Sequence, residues 1–211
     1  MATNMFSIHL KFISIAFKYD ILIEALFHIR NMVDNLNTRT IQITQGLDPD
    51  NAEGIREDTN TIIENMHGAA FVCCQASING VASRIKTFHA FAKNEGITLT
   101  SVPEERKLII ASHCPVVPST TVSQIQAIDT LANYFKHRDQ WPHGWINPDG
   151  QSRLTIQTLQ TLGFTPYQDD ILNSGISMFG PNILNLANVL NKWVDTLVDE
   201  LEKELKTLGK I

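Results

Sequence analysis

Apolar residues recur along this chain mostly at helical spacing, and the longest such run sets the fold class. Ile63, Ala70, Cys74, Ile78, Val81, Ile85, Phe88 and Ala92 hold to one stripe with few exceptions. That predicts a single helix from about Ala52 to Lys93, bent near Gly68 or Gly80. Asn94-Glu95-Gly96 supplies its stop signal. Upstream, Ile23, Leu26, Phe27, Ile29 and Val33 mark a helix from Tyr19 to about Asn37. The turn Gly46-Leu-Asp-Pro-Asp50 follows, with Asp50 as the candidate cap of the long helix. At the start of the chain Phe6, Ile8, Leu10 and Phe12 alternate with Ser7, His9 and Lys11. That period of two predicts a short strand, with a helix as the competing reading.

In the second half, Pro103 opens a short helix through Ala111, and the Pro-rich connection Pro115 to Pro118 leads to Ser119 or Thr120 as the next candidate cap. Ile125, Ile128, Leu131, Ala132 and Phe135 form one side of the helix that follows. Trp141-Pro-His-Gly-Trp145 breaks it, and residues 141 to 151 read as loop. Ser152 to Leu162 is helical and closed by Gly163. Pro181 then opens a final helix whose stripe is Leu186, Leu190, Trp193, Leu197, Leu201 and Leu208. The sum is one all-α domain over residues 1–211, an antiparallel helical bundle of about six helices.

Composition narrows the function classes. A chain of 211 residues that is 43% hydrophobic can close one sizeable core. A net charge of −5 argues against non-specific DNA binding. Arg84, Lys86, Lys93, Lys136 and Arg138 are the residues that could still converge on a local basic patch. Lys11, Lys18 and Asp20 interrupt the apolar start well short of a spanning length, so no membrane segment is expected. Three cysteines without a C-x-x-C spacing fit a reducing cytoplasm and core packing.

Candidate chemistry concentrates between Asp129 and Trp145. Asp129, Asn133 and His137 recur every four residues, on one helical face. A carboxylate can orient a histidine for general acid–base work, although Asn133 would have to mediate over that separation. The competing reading is a solvated polar face. Neither H-x-x-x-H nor H-E-x-x-H occurs, so no metal site and no cofactor are expected. His113-Cys114 reads as incidental rather than as a thiolate–imidazole pair, and Trp141 and Trp145 either stack a ligand ring or close the bundle end.

Two segments share one further spacing: Arg84-Ile-Lys-Thr-Phe-His89 and Arg138-Asp-Gln-Trp-Pro-His143. In this the chain resembles HEPN domains, helical bundles many of which are metal-independent endoribonucleases. Asn133-Tyr-Phe-Lys-His137 with Trp141 is similar to a segment of uncharacterised bacterial helical proteins, some of them HEPN-like. The resemblance implies a homodimer in which arginine and histidine face each other across a cleft and act on RNA. Arg138 and His143, or Arg84 and His89, would be catalytic, with Asn133, Lys136 and His137 contacting phosphate. Ile85 after Arg84 and Pro142 before His143 depart from the active pattern. A HEPN-like binding or regulatory module, using Lys136, Trp141 and Trp145 toward RNA or a nucleotide, is therefore the leading expectation. A metal-independent endoribonuclease of the toxin or defence type is the alternative. A structural protein docking partners through its C-terminal amphipathic helix is the third.

Overall fold

The spine of the molecule is one unbroken helix, α3 (Pro49–Asn94), whose 46 residues span about 69 Å at 1.5 Å per residue. The computed structural model describes residues 5–11, 13, 21–141, 145, 146, 148 and 150–211. Around α3 stand α1 (residues 5–11), α2 (Ile21–Thr44), α4 (Arg106–Ala111), α5 (Gln124–His137), α6 (Gly150–Thr161), α7 (Ile171–Ser177) and α8 (Asn185–Thr207). A 3-10 turn, Arg138–Gln140, extends α5. The all-α class expected from the periodicity is the class observed, and the described residues contain an isolated bridge, Val116 with Ser123, but no strand.

Sequence pattern accounts for the long elements. Cys74, Ile78, Val81, Ile85, Phe88 and Ala92 are all buried on α3, which packs against α2, α4, α5, α7 and α8. The stripe of α8 is buried too, at Leu186, Leu190, Trp193, Leu197 and Leu201. Leu205 completes it, while Leu208 is 46% exposed. The apolar face through which α8 was expected to dock a partner is thus filled by the chain's own core. Where α3 crosses α5, Gly68 lies beneath the Phe135 ring, and any side chain at that position would meet the ring directly.

Several expectations are corrected. The N-terminal residues form helix α1 rather than a strand: Phe6, Leu10 and Ile13 are buried at helical spacing, whereas Ile8 is exposed. Phe12 lies outside the described residues. The long helix is capped by Asp48, whose side chain accepts from the Asn51 amide at 3.1 Å, not by Asp50, with Pro49 next in its favoured first position. The cap of α5 is Ser123 rather than Ser119 or Thr120. Its hydroxyl accepts from Gln126 N at 3.1 Å while Gln126 Oε1 accepts from Ser123 N at 3.0 Å, the reciprocal pair of a capping box. Residues 103–105 stay outside α4, and α8 begins four residues after Pro181. Helix α2 runs on to Thr44, and along it Thr38 and Thr44 return their hydroxyls to backbone carbonyls one turn back. The Thr40 and Thr59 hydroxyls also meet at 2.8 Å across α2 and α3. Among the described residues the count rises to eight helices through α1 and the seven-residue α7.

Candidate functional site

The polar face of α5 points inward, toward Gln75 of α3. Gln75 Nε2 donates to Asp129 Oδ1 at 2.8 Å and to Asn133 Oδ1 at 3.0 Å, and its oxygen accepts from Lys136 Nζ at 2.6 Å. Arg106 of α4 closes the network: its Nη2 reaches Asp129 Oδ1 at 2.6 Å and its Nε reaches Asn79 Oδ1 at 2.7 Å. Asp129 is buried. Asp129 and Asn133 are therefore not part of a solvated face. They belong to a satisfied polar bolt joining α3, α4 and α5. His137 stands outside the bolt, exposed, with Gln140 Oε1 3.4 Å from its Nδ1. Asn133 is turned to Gln75 and does not relay Asp129 to His137.

Neither Arg–His spacing produces a pair among the described residues. Arg84 and His89 are five positions apart on α3, which rotates them about 140° from one another. His89 is buried with its Nε2 donating to the Val102 carbonyl at 2.9 Å, while Arg84 lines a small apolar pocket beside Ile8, His9 and Phe88. Arg138 donates to Asn65 Oδ1 at 2.7 Å and lies 5.3 Å over the Phe135 ring. Its expected partner, His143, is outside the described residues. The five basic residues do not converge: Arg138 is anchored at Asn65 and Lys136 at Gln75, whereas Lys93 is paired with Glu104 at 2.6 Å. Asn65 and Lys93 are about 40 Å apart along α3. Trp141 sits between Tyr134, in a tilted contact at 5.5 Å, and Trp145, edge-to-face at 6.3 Å, and both tryptophans are partly buried against the core. Cys114 is half-buried, which pushes its thiol up, and His113 is turned to the Ser101 carbonyl at 3.0 Å.

The chain builds a different polar site about three turns earlier on α3. Glu64 is buried and accepts from the backbone amides of Leu172 and Asn173, both at 2.8 Å. These are the second and third residues of α7, a helix whose N-cap residue, Asp170, makes no side-chain cap bond. Glu64 thus caps α7 from another helix. Burial raises its carboxyl above the ordinary glutamate range, against the opposing pull of those amides and of Arg138.

One turn on, His67 faces the same helix. Its Nδ1 stands 2.7 Å from Asn173 Oδ1. A carboxamide oxygen only accepts, so Nδ1 carries the proton and Nε2 keeps its lone pair. Burial holds the imidazole below its ordinary value, so the neutral form prevails at pH 7. His67 and Asn173 line a cleft of about 570 Å³ between α2, α7 and the loop through Asn182, together with Arg30, Asp34 and Asn37. Arg30 and Asp34 are partners at 3.5 Å, and Val33, Ile176 and Ile183 supply the apolar lining. An oriented neutral imidazole, an arginine, a carboxylate and three carboxamides meet here. Sequence reading missed all of them, because they come from three distant segments and α7 is only seven residues long. Among the described residues no group of three His, Cys, Asp or Glu side chains is placed to hold a metal ion, and no helix is long and apolar enough to cross a membrane.

No family model, curated protein or solved structure matches this chain.

Proposed function

We propose that this protein is a helical binding module, HEPN-like in kind, that takes a small polar ligand in the cleft between α2 and α7. The observation that carries this reading is the cleft around the His67–Asn173 hydrogen bond. Its volume falls within the range of about 300–1,000 Å³ usual for small-molecule sites, and it combines an apolar lining with a few converging polar groups. The Asp129 bolt, by contrast, has its hydrogen-bonding groups occupied internally and offers a ligand little. A thermal-shift screen against pooled small metabolites tests the proposal. At least one pool should raise the melting point of wild type and leave His67→Phe unmoved, through the stabilisation that any native-state ligand confers. Shifts of equal size in both proteins would place the site elsewhere.

One observation favours a metal-independent endoribonuclease as the second reading. Arg30 and the neutral His67 line one cleft, the pairing of phosphate-binding cation and proton-transfer group that RNA cleavage needs. Asp34 weakens that reading by neutralising Arg30. Incubation with total RNA in chelator separates the two: cleavage abolished in His67→Phe supports the nuclease, and intact RNA with well-folded protein supports the binding module.

A further inference from the structure

The hydrogen-bonding groups left over in the α2–α7 cleft point to a class of ligand. The inference rests on the cleft being the binding site. Asn173 Oδ1 is occupied by His67, and Asn182 Oδ1 accepts from the Leu184 amide at 3.0 Å. Each carboxamide therefore has its whole NH₂ and a single oxygen lone pair to offer. Arg30 pairs with Asp34 through Nε at 3.5 Å, which leaves its terminal nitrogens as donors. The acceptors include His67 Nε2, left bare by the proton on Nδ1, and the Asp34 carboxylate, with Asn37 and Ser177 each able to donate or accept. Around them Val33, Ile176 and Ile183 give the cleft apolar surface.

A complementary ligand has a flat apolar body, several acceptors on its edge and one strong donor group. We propose that the cleft takes an amino-substituted nucleobase, cytosine or adenine. Its exocyclic amine would donate to His67 Nε2 and Asp34, and its ring nitrogens or carbonyl would accept from Asn173, Asn182 and Arg30. In uracil or hypoxanthine a carbonyl replaces the amine and sets oxygen lone pairs against the lone pair of His67. Sites built to hydrogen-bond a particular group reject the analogue lacking it more strongly than apolar pockets reject a change of size. The same base edge occurs in a free nucleoside and in unpaired RNA.

Calorimetric titration of the full chain with cytidine, uridine, adenosine, inosine and a cytidine hexanucleotide tests this. Cytidine or adenosine should bind at least tenfold more tightly than its carbonyl counterpart. Asn182→Asp keeps the oxygen that caps Leu184 and removes the donor, so it should weaken that binding at least fivefold with helicity unchanged. Should Asn182→Asp fold poorly, Arg30→Met is the second variant, with the same loss expected because it removes the guanidinium donors. A hexanucleotide tighter than the nucleoside identifies single-stranded RNA as the source of the base, and one no tighter identifies the free nucleoside or nucleotide. Equal affinity for amine and carbonyl counterparts, or no heat from any nucleoside at millimolar concentration, overturns the nucleobase assignment. The metabolite screen on His67→Phe judges the cleft itself separately.

Discussion

His67 and Asn173, 106 positions apart in the chain, share a 2.7 Å hydrogen bond that fixes which nitrogen of the imidazole is protonated. The same asparagine gives its backbone amide to Glu64 at 2.8 Å. Two side chains one turn apart on α3 thus hold both the backbone and the side chain of one residue of α7. A short helix with no cap of its own is placed by this double grip, and the lining of the cleft is placed with it.

The grip makes stability depend on pH in two opposed ways. His67 has a native value below its ordinary 6.5, so between those values the unfolded chain binds more protons. Stability from this group is complete above 6.5 and is lost as the pH falls through that window. Glu64 has a native value above its ordinary 4.5, so there the native chain holds the extra proton, and stability falls as pH rises from 4.5 toward the native value. Urea midpoints at several pH values check both signs. His67→Gln should lose less stability on acidification from pH 7.5 to 5.5 than wild type does. Glu64→Gln should lose more on further acidification. Parallel curves for all three proteins would contradict the assignment.

Asp129 is expected to act on stability rather than on chemistry. Asp129→Asn removes the buried charge of an ion pair at 2.6 Å and disturbs the Gln75 hydrogen bonds. Because Arg106 is partly exposed, the expected cost is about 2 kcal/mol rather than the larger figure for a fully buried pair. His137→Ala, on an exposed side chain outside the network, should change stability by less than about 0.5 kcal/mol. Chemical denaturation of the two variants checks the contrast. Equal effects would mean that the bolt has been misassigned.

The start of α5 can be tested at one atom. Ser123→Ala deletes the hydroxyl that accepts from Gln126 N and donates to the Ile110 carbonyl at 2.7 Å. A loss of about 1 kcal/mol or somewhat more is expected, in the range of N-cap deletions. A neutral Ser123→Ala would argue that the cap lies elsewhere in the Ser119–Ser123 segment.

Gly68 is a packing requirement. Its missing side chain makes room for the Phe135 ring, which a Cβ at this position would meet directly. Gly68→Ala should therefore destabilise by on the order of 2 kcal/mol despite the better helix propensity of alanine, since overpacking shifts the ring or the helix. Gly54→Ala on the same helix meets nothing within 4 Å and should be neutral or stabilising. Thermal melts of the pair give the comparison.

How much of this was legible in the sequence follows from what each signal needs. Long helices with a continuous stripe announce themselves, as Cys74 to Ala92 and Leu186 to Leu201 do. Short elements do not. Four alternating apolar residues at the N-terminus fit a strand until the burial of Phe6, Leu10 and Ile13 shows the helical face. Helix α7 is seven residues long and is capped from another helix by Glu64, a tertiary contact with no local trace. The polar stripe of α5 was found at the right residues, but Arg106 and Gln75, which decide that it is structural, lie far away in the chain. The cleft was invisible for the same reason: Arg30, His67 and Asn182 meet only once the bundle has closed.

The most direct test of the central claim is a backbone-resolved NMR titration of the chain with the metabolite pool that raises its melting point. Perturbations should cluster at Arg30, Asn37, His67, Asn173 and Asn182 and vanish in His67→Phe. Perturbations confined to Tyr134, Trp141 and Trp145, with the cleft residues unmoved, would contradict it.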